Sequence, residues 1–399
     1  MIKAHSLLYA IYICLIISLL CGALLYMSNL YNNLNLYYTT HEELYISNQS
    51  VVNYALGHLD NPQDTVPDNG GIKSAYSIRP YGFLKVLKAE SYIYNDTVIS
   101  AHFVGQYQED KTCLYYPSFN FPLTYSGKVI LNGKKYLPST FIEPVFLSSE
   151  PNSINSSGEI VASEKTLPQI NEFNMWQNDL KTVALSSLQK VNDSVYFNSF
   201  LNETINISIT STTLSNVIIK GNFMLKSADS LYIKNNTVLN DVIVVAPKIA
   251  FEDNFNGSVQ AFATKSIYVG KEVTLNYPSV LSLKNNTQQK SKITVGENTR
   301  IEGGVILYGN TFPDIENNII ETGKNCLIIG DVYCTGVLVF KGKVNGSVYT
   351  NRLMHATPTA NYQNCLADGA IDAFGRPDYF LSLSLFNQSG KYGLLKKLL

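Results

Sequence analysis

Residues 327–349 read LIIGDVYCTGVLVFKGKVNGSVY. Short apolar runs alternate here with glycine, and Gly-x-Val recurs at Gly330-Asp-Val332, Gly342-Lys-Val344 and Gly346-Ser-Val348, with Gly336-Val337 nearby. Runs this short cannot make long hairpin strands, and no helical period fits them. Tight corners between buried β-branched residues suit a parallel β-helix, in which each short strand pairs with the next turn of the coil. The same pattern extends back through Val305-Ile-Leu307, Ile267-Tyr-Val269, Val242-Ile-Val-Val245 and Val217-Ile-Ile219 to about Val195. The expected fold is therefore mainly β, with a parallel β-helix over 195–353. A β-sandwich of irregular strands is the competing fold. Stacked coils leave an open edge at each end. Asn171 to Lys190, with Phe173, Trp176, Leu180 and Leu188 on one apolar face behind a plausible Asn171 N-cap, is expected to be a helix covering one end. The segment 354–399 is expected to cover the other, its tail Gly393-Leu-Leu-Lys-Lys-Leu-Leu399 docking as a cap.

Upstream, residues 72–170 show alternating runs such as Thr97-Val-Ile-Ser-Ala-His-Phe-Val104, separated by turn residues and proline–aromatic clusters. This is the pattern of a small β-rich domain, with a polar loop or hinge at Ser148 to Ser157. Asn61-Pro62 and Pro67-Asp-Asn-Gly-Gly71 form the break in front of it. From Ser28 to Leu59 the period is helical. Leu30, Leu34, Tyr37, His41, Leu44, Asn48, Val52, Ala55 and Leu59 recur at steps of four and three, a stripe of coiled-coil type. Leu7 to Met27 (LLYAIYICLIISLLCGALLYM) carries no charge, and about 20 apolar residues span a bilayer core. Joined end to end, residues 7–59 would make a helix of ~80 Å. The stripe on residues 28–60 packs either on the protein's own outer domain or on partner helices. On the second reading Leu30, Leu34, Tyr37, Leu44 and Val52 bind the partner, and charges at Leu34 and Leu44 should abolish cross-linking.

Lys3 and the amino terminus precede the apolar segment, and the first charges after it are Glu42 and Glu43. This places residues 1–6 in the cytoplasm and the rest in the periplasm or outside, on a single-pass anchor in the inner membrane. A cleaved signal peptide is the alternative, but the apolar region is longer than such peptides carry, and Ser28-Asn-Leu30 offers no small-x-small site. A lipoprotein signal at Leu19-Leu-Cys21 lacks the small residue before the cysteine. Cys14 and Cys21 lie within the membrane segment. Cys113, Cys326, Cys334 and Cys365 would face an oxidising compartment, where Cys326/Cys334 or Cys113/Cys365 could pair.

Thirty Lys+Arg against 31 Asp+Glu, with charged residues only 15% of the chain, exclude a broad basic surface for nucleic acid. The five histidines are scattered and no CxxC or HExxH occurs, so no metal or other cofactor is expected. Neither a Gly-x-Ser-x-Gly elbow nor a phosphate-binding glycine loop is present. Acidic residues of the β-helix stretch are dispersed, and only Glu252-Asp253 are adjacent, on opposite faces of a strand if extended. The reading is a non-enzyme. The rival is an extracellular β-helix that binds or cleaves a glycan, which for cleavage would need clustered carboxylates. Several Asn-x-Ser/Thr sequons occur. The Asn-, Ile- and Lys-rich composition with few arginines favours a bacterial source over a glycosylated one.

The row of short runs with Gly-x-Val corners from Leu327 to Tyr349 resembles the bactofilin-like, polymer-forming parallel β-helix proteins, which implies a scaffold with no cofactor and no active site. The apolar span running into an amphipathic stalk resembles the pilin and minor-pseudopilin layout, although no Gly precedes a prepilin-type cleavage point and no Glu stands early in the apolar segment. Jointly the two resemblances imply a structural or assembly protein of the bacterial cell envelope, working through protein–protein contacts: the bilayer through residues 7–27, other envelope proteins through the stalk.

Overall fold

The computed structural model describes residues 2–69, 71–108, 110–117, 121–147, 151–171, 182–188, 195–309, 314–386 and 390–398. It is mainly β, with one long N-terminal helix and a solenoid-like parallel sheet. The chain separates into two compact units, residues 1–78 with 88–100, and residues 79–87 with 101–399.

In the first unit, helix α1 runs Ile2–Leu56, 55 residues without a proline. It is long and apolar enough to cross a membrane, and none of its most apolar window is buried by the protein. The helix stops where Gly57 follows, and Asn61-Pro62 turns the chain into the antiparallel pair Gln63–Asn69 and 72–77. Among the described side chains, α1 is packed over its last third: Leu44, Val51, Val52 and Ala55 are fully buried, with Tyr54 edge-on to Tyr76 at 6.2 Å. Asn48 sits among them because its amide is satisfied at both ends. It donates to the Val98 carbonyl (3.2 Å) and accepts from Ser100 Oγ (2.6 Å). Ser47, Ser74 and Ser91 continue this polar seam, at 3.1 and 2.8 Å.

The second unit is the solenoid. Among the described residues twenty-four strands join into one sheet, almost all in parallel register, and each coil has three faces. One face carries 205–208, 223–226, 243–245, 259–262, 280–285, 303–309, 330–334 and 346–350 in turn. Interior Val, Ile, Leu and Phe side chains stack from coil to coil into a single core. Each such burial stabilises the fold by about 1.5–3 kcal/mol. At the corner leading onto this face the chain turns through Gly303, Gly330 and Gly346, which lie in direct register. Their φ values are +145°, +136° and +157°, and a Cβ on Gly330 would stand 1.7 Å from the Gly303 carbonyl oxygen. The Gly-x-Val repeats thus mark places where one coil rests on the backbone of the next.

The face that follows this corner is buried on both sides, which is why its strands read as unbroken apolar runs such as Val242–Val245, whereas Ser266–Val269 on another face alternates. Its outer surface carries Ile243, Phe262, Ile306, Tyr333, Tyr349 and Tyr115. With Tyr81, Phe83, Phe103, Leu383 and Leu385 they make a second core. Gln260 pins the covering segment 79–87, accepting from Phe83 N (2.9 Å) and donating to the Tyr81 carbonyl (2.9 Å).

Coil order departs from chain order at one end. Beyond Gly342–Ala356 the next coil is built from Gly369–Asp372 and Thr112–Tyr115. Lys128–Asn132 and Lys134–Leu137 follow, then Ser153–Ser157 and Ile160–Ala162. The stretch 72–170 is accordingly not one separate β-rich domain. Its second half extends the solenoid, and Ser153–Ser157, expected in a loop or hinge, is a strand of the outermost coil. Residues 163–171 then run back along the outer face, where Tyr333 donates to the Pro168 carbonyl (2.9 Å) and Asn171 N to the Leu385 carbonyl (2.7 Å). Of the helix expected over 171–190, residues 172–181, Trp176 included, lie outside the described residues. Thr182–Ala184 is a strand and Leu185–Ser187 a 3-10 turn. The segment 354–399 does not close an end. It contributes a coil strand, lines the second core and finishes as Tyr392–Leu398, antiparallel to 101–106.

Candidate interaction surface and aromatic pocket

The five stripe residues divide. Leu30, Leu34 and Tyr37 are 49%, 52% and 51% exposed, and Tyr37 stacks on His41 at 5.8 Å. Leu44 and Val52 are fully buried inside the first unit, so they are occupied by the protein's own sheet and are not open to a partner. Along 7–38 large apolar side chains are exposed on every side of α1, including Leu7, Ile11, Leu15, Leu19, Tyr26, Tyr31 and Leu36. A helix apolar all round is covered by lipid or by other helices.

In the solenoid unit, a cavity of about 340 Å³ opens between residues 106–108, Asp110 and Thr112, the coil strands carrying Asp331 and Tyr349, and Ser382, Leu383, Leu385, Phe386 and Gly390. Its aromatic wall follows from register. Tyr333 pairs with Tyr349, Tyr349 with Tyr115 and Tyr115 with Tyr136, so their rings stand in one row across successive coils. Tyr115 stacks on Tyr136 (5.0 Å) and on Tyr349 (6.1 Å), and Phe386 packs against Tyr349 at 5.0 Å. Burial pushes the Tyr333, Tyr349 and Tyr115 phenols up, so they stay protonated.

Beside this wall lies a buried polar knot. The Arg376 and Asp331 side chains are only 6% and 5% exposed and form an ion pair through Nη2 and Oδ1. The same guanidinium donates to Gln108 Oε1, Ser382 Oγ, Ser347 Oγ (3.3 Å) and the Gly330 carbonyl (3.2 Å). Gln108 Nε2 donates to Ser347 Oγ at 3.0 Å, and Ser347 in turn donates to the Thr112 carbonyl. The knot is not closed: Arg376 Nε finds no acceptor among the described residues. A buried pair of this kind is costly to desolvate and is sustained by its added hydrogen bonds. Sequence reading passed over this cluster. The available signals were an aspartate inside the buried run Ile329-Gly-Asp-Val332 and a rare arginine in Gly375-Arg-Pro377.

Other carboxylates of the solenoid are engaged singly: Asp241 with Lys396 (2.7 Å), Glu302 with Arg300 (2.6 Å), Glu316 with Arg352 (2.6 Å), Glu297 with Lys271 (3.2 Å) and Glu321 with Lys292. Among the described residues no group of three or more His, Cys, Asp or Glu side chains gathers as a metal site would require. Cys113, Cys326, Cys334 and Cys365 are buried free thiols, and no pairing of Cys326 with Cys334 or of Cys113 with Cys365 is formed. Burial pushes the thiols of Cys113, Cys326 and Cys334 up to about 12. Lys135 points into the end of the core, where it donates to the carbonyls of Gly133 (3.0 Å), Ser157 (2.6 Å) and Gly158 (3.4 Å), and burial lowers its pKa.

No family model, curated protein or solved structure matches the chain.

Proposed function

We propose that this chain is a membrane-anchored structural subunit of a bacterial envelope assembly, pilin-like in its stalk and bactofilin-like in its solenoid. Residues 7–27 span the inner membrane with the N-terminus in the cytoplasm, and the β units stand in the periplasm or beyond. The observation that carries this reading is the bare stretch of α1 between the apolar segment and the packed third. Lipid covers about 20 residues of helix, which leaves Leu30, Leu34 and Tyr37 past the hydrocarbon and still unpacked. Two such stripes facing each other would bury these side chains by knobs-into-holes contact. The one-by-one pairing of the solenoid carboxylates favours a scaffold over a glycan-cleaving site, which places two carboxyl groups together at the scissile bond. The test is chemical cross-linking of full-length protein in its membrane, comparing wild type with a Leu30→Glu/Leu34→Glu double variant. Loss of the cross-linked species in the variant supports the reading, and an unchanged ladder overturns it.

A further inference from the structure

A second groove, of about 370 Å³, crosses three successive coils on the alternating face of the solenoid. The inward residues there, Leu231, Ile249 and Ile267, are buried in the core. The outward residues fall into two rows, because the coils pair in parallel register. Ser230, Lys248 and Ser266 make one row, and Tyr232, Ala250 and Tyr268 the other. The outward pair Ser-x-Tyr thus recurs on every second coil with Lys-x-Ala between, and the small Ala250 leaves a gap between two rings. Both tyrosines are exposed, and neither ring has an aromatic or cationic partner among the described residues. Tyr232 is fixed at its tip: its hydroxyl donates to Glu252 Oε1 (3.3 Å), and Glu252 Oε2 accepts from Asn235 N (2.9 Å). Lys248 is exposed, is the one charged residue of the lining and forms no ion pair among the described residues.

A surface that repeats on every second coil selects a ligand that repeats over the same length. Paired strands lie about 4.8 Å apart, so Tyr232 and Tyr268 stand about 9.5 Å apart along the solenoid axis. An extended peptide repeats its side-chain direction every ~6.7 Å and falls out of step. A polyproline helix completes a turn in about 9.3 Å, but its bare carbonyls need donors, and the Tyr232 hydroxyl is already given to Glu252. An extended β-1,4-linked glycan meets both conditions. Each sugar is turned over relative to the last, so alternate sugars present the same C–H face at the spacing of a disaccharide. That face packs on an aromatic ring without using the phenol. The sugar between lies over Ala250 with its rim toward Lys248, so an acidic substituent there meets an unpaired cation. We infer that this groove binds a β-1,4-linked glycan chain along the solenoid axis, with Tyr232 and Tyr268 against two sugars of like orientation and Lys248 on an acidic group of the sugar between them. The inference does not depend on the stalk reading, and adds a glycan contact to the scaffold role.

Saturation-transfer NMR on full-length protein, in a mild detergent without a sugar headgroup, tests it. The probes are chitotetraose, a β-1,4-linked tetrasaccharide of alternating N-acetylglucosamine and N-acetylmuramic acid, maltotetraose and a proline-rich peptide. Saturable binding of both β-1,4-linked chains in the millimolar range or below is expected, the acidic one about fivefold tighter at low salt. Tyr232→Ala and Tyr268→Ala should each weaken both by about tenfold while the thermal unfolding midpoint holds, and Lys248→Ala should abolish the preference for the acidic chain. Should a tyrosine variant unfold, Ala250→Gln, which fills the gap and leaves both rings in place, gives the same loss. Absence of saturable binding by the β-1,4-linked chains, equal binding of maltotetraose, unchanged affinity in the folded variants, no preference for the acidic chain, or preference for the peptide overturns the inference.

Discussion

The two halves of the stripe on helix α1 share one spacing and meet opposite fates. Leu44, Val52 and Ala55 are sealed inside the first unit around Asn48, whereas Leu30, Leu34 and Tyr37, one and two heptads earlier in the same spacing, are half exposed. Heptad spacing therefore identifies a face that must be buried without saying by what. The discriminating detail is chemical: the packed end interleaves its apolar residues with Asn48 and Ser47, whose partners Val98, Ser100 and Ser74 belong to the neighbouring strands. The unpacked end has no such polar key.

A parallel contrast separates the two kinds of contact in the solenoid, where backbone rests on backbone at the glycine corner and side chains interdigitate elsewhere. The largest effect is expected at that corner. Gly330→Val would drive a Cβ into the Gly303 carbonyl at a φ of +136°, and should cost on the order of 3–5 kcal/mol. The measurement is the midpoint of thermal unfolding by circular dichroism, and a change under 1 kcal/mol would mean the corner can relax.

Next comes the stripe itself. Leu44→Ala should destabilise the first unit by about 2–5 kcal/mol, while Leu34→Ala should change stability by less than about 0.5 kcal/mol. Denaturant titration of the two variants side by side sharpens the comparison, because equal effects would mean that the ends are not different.

Thiol labelling gives a smaller, graded signal. With burial holding Cys113, Cys326 and Cys334 at about 12, these thiols should resist a maleimide in native protein in detergent and react on unfolding. Mass spectrometry of the labelled peptides checks this.

The smallest effect is one of pH. His102 is buried with Nε2 unpartnered and stands opposite Lys397 on the paired strand, so burial first, and that cation second, lower its pKa below the ordinary 6.5. The unfolded chain therefore takes up the proton first. Stability should fall as pH drops below about 6.5 and level off below the depressed folded value. His102→Gln should flatten that slope. His355, lowered by burial with Lys341 adding to it, would leave a residual slope of the same sign.

The solenoid was legible wherever coil follows coil in the chain. Apolar runs such as Val242–Val245 and the glycines at 330, 342 and 346 show their spacing directly, because neighbouring coils are neighbours in sequence. Thr112–Ala162 was not legible as solenoid. Its partner strands are Gly342–Ala356 and Gly369–Asp372, and no local pattern announces that Val348 will pair with Leu114. Two-sided burial of one face was visible only as unbroken apolarity, which by itself suits a sandwich equally well. The pocket escaped for a similar reason. Asp331 and Arg376 are 45 residues apart, and their meeting depends on the C-terminal segment lying over the outer face.

The exposed half of the α1 stripe, Leu30, Leu34 and Tyr37, is the proposed assembly element. The most direct measurement is the mass and shape of full-length protein in mild detergent, by light scattering and negative-stain microscopy, for wild type and for Leu30→Glu/Leu34→Glu. Defined assemblies of the wild type that become monomers in the variant, with the unfolding midpoint unchanged, are the predicted result. Monomers in both, or the same assemblies in both, would contradict it.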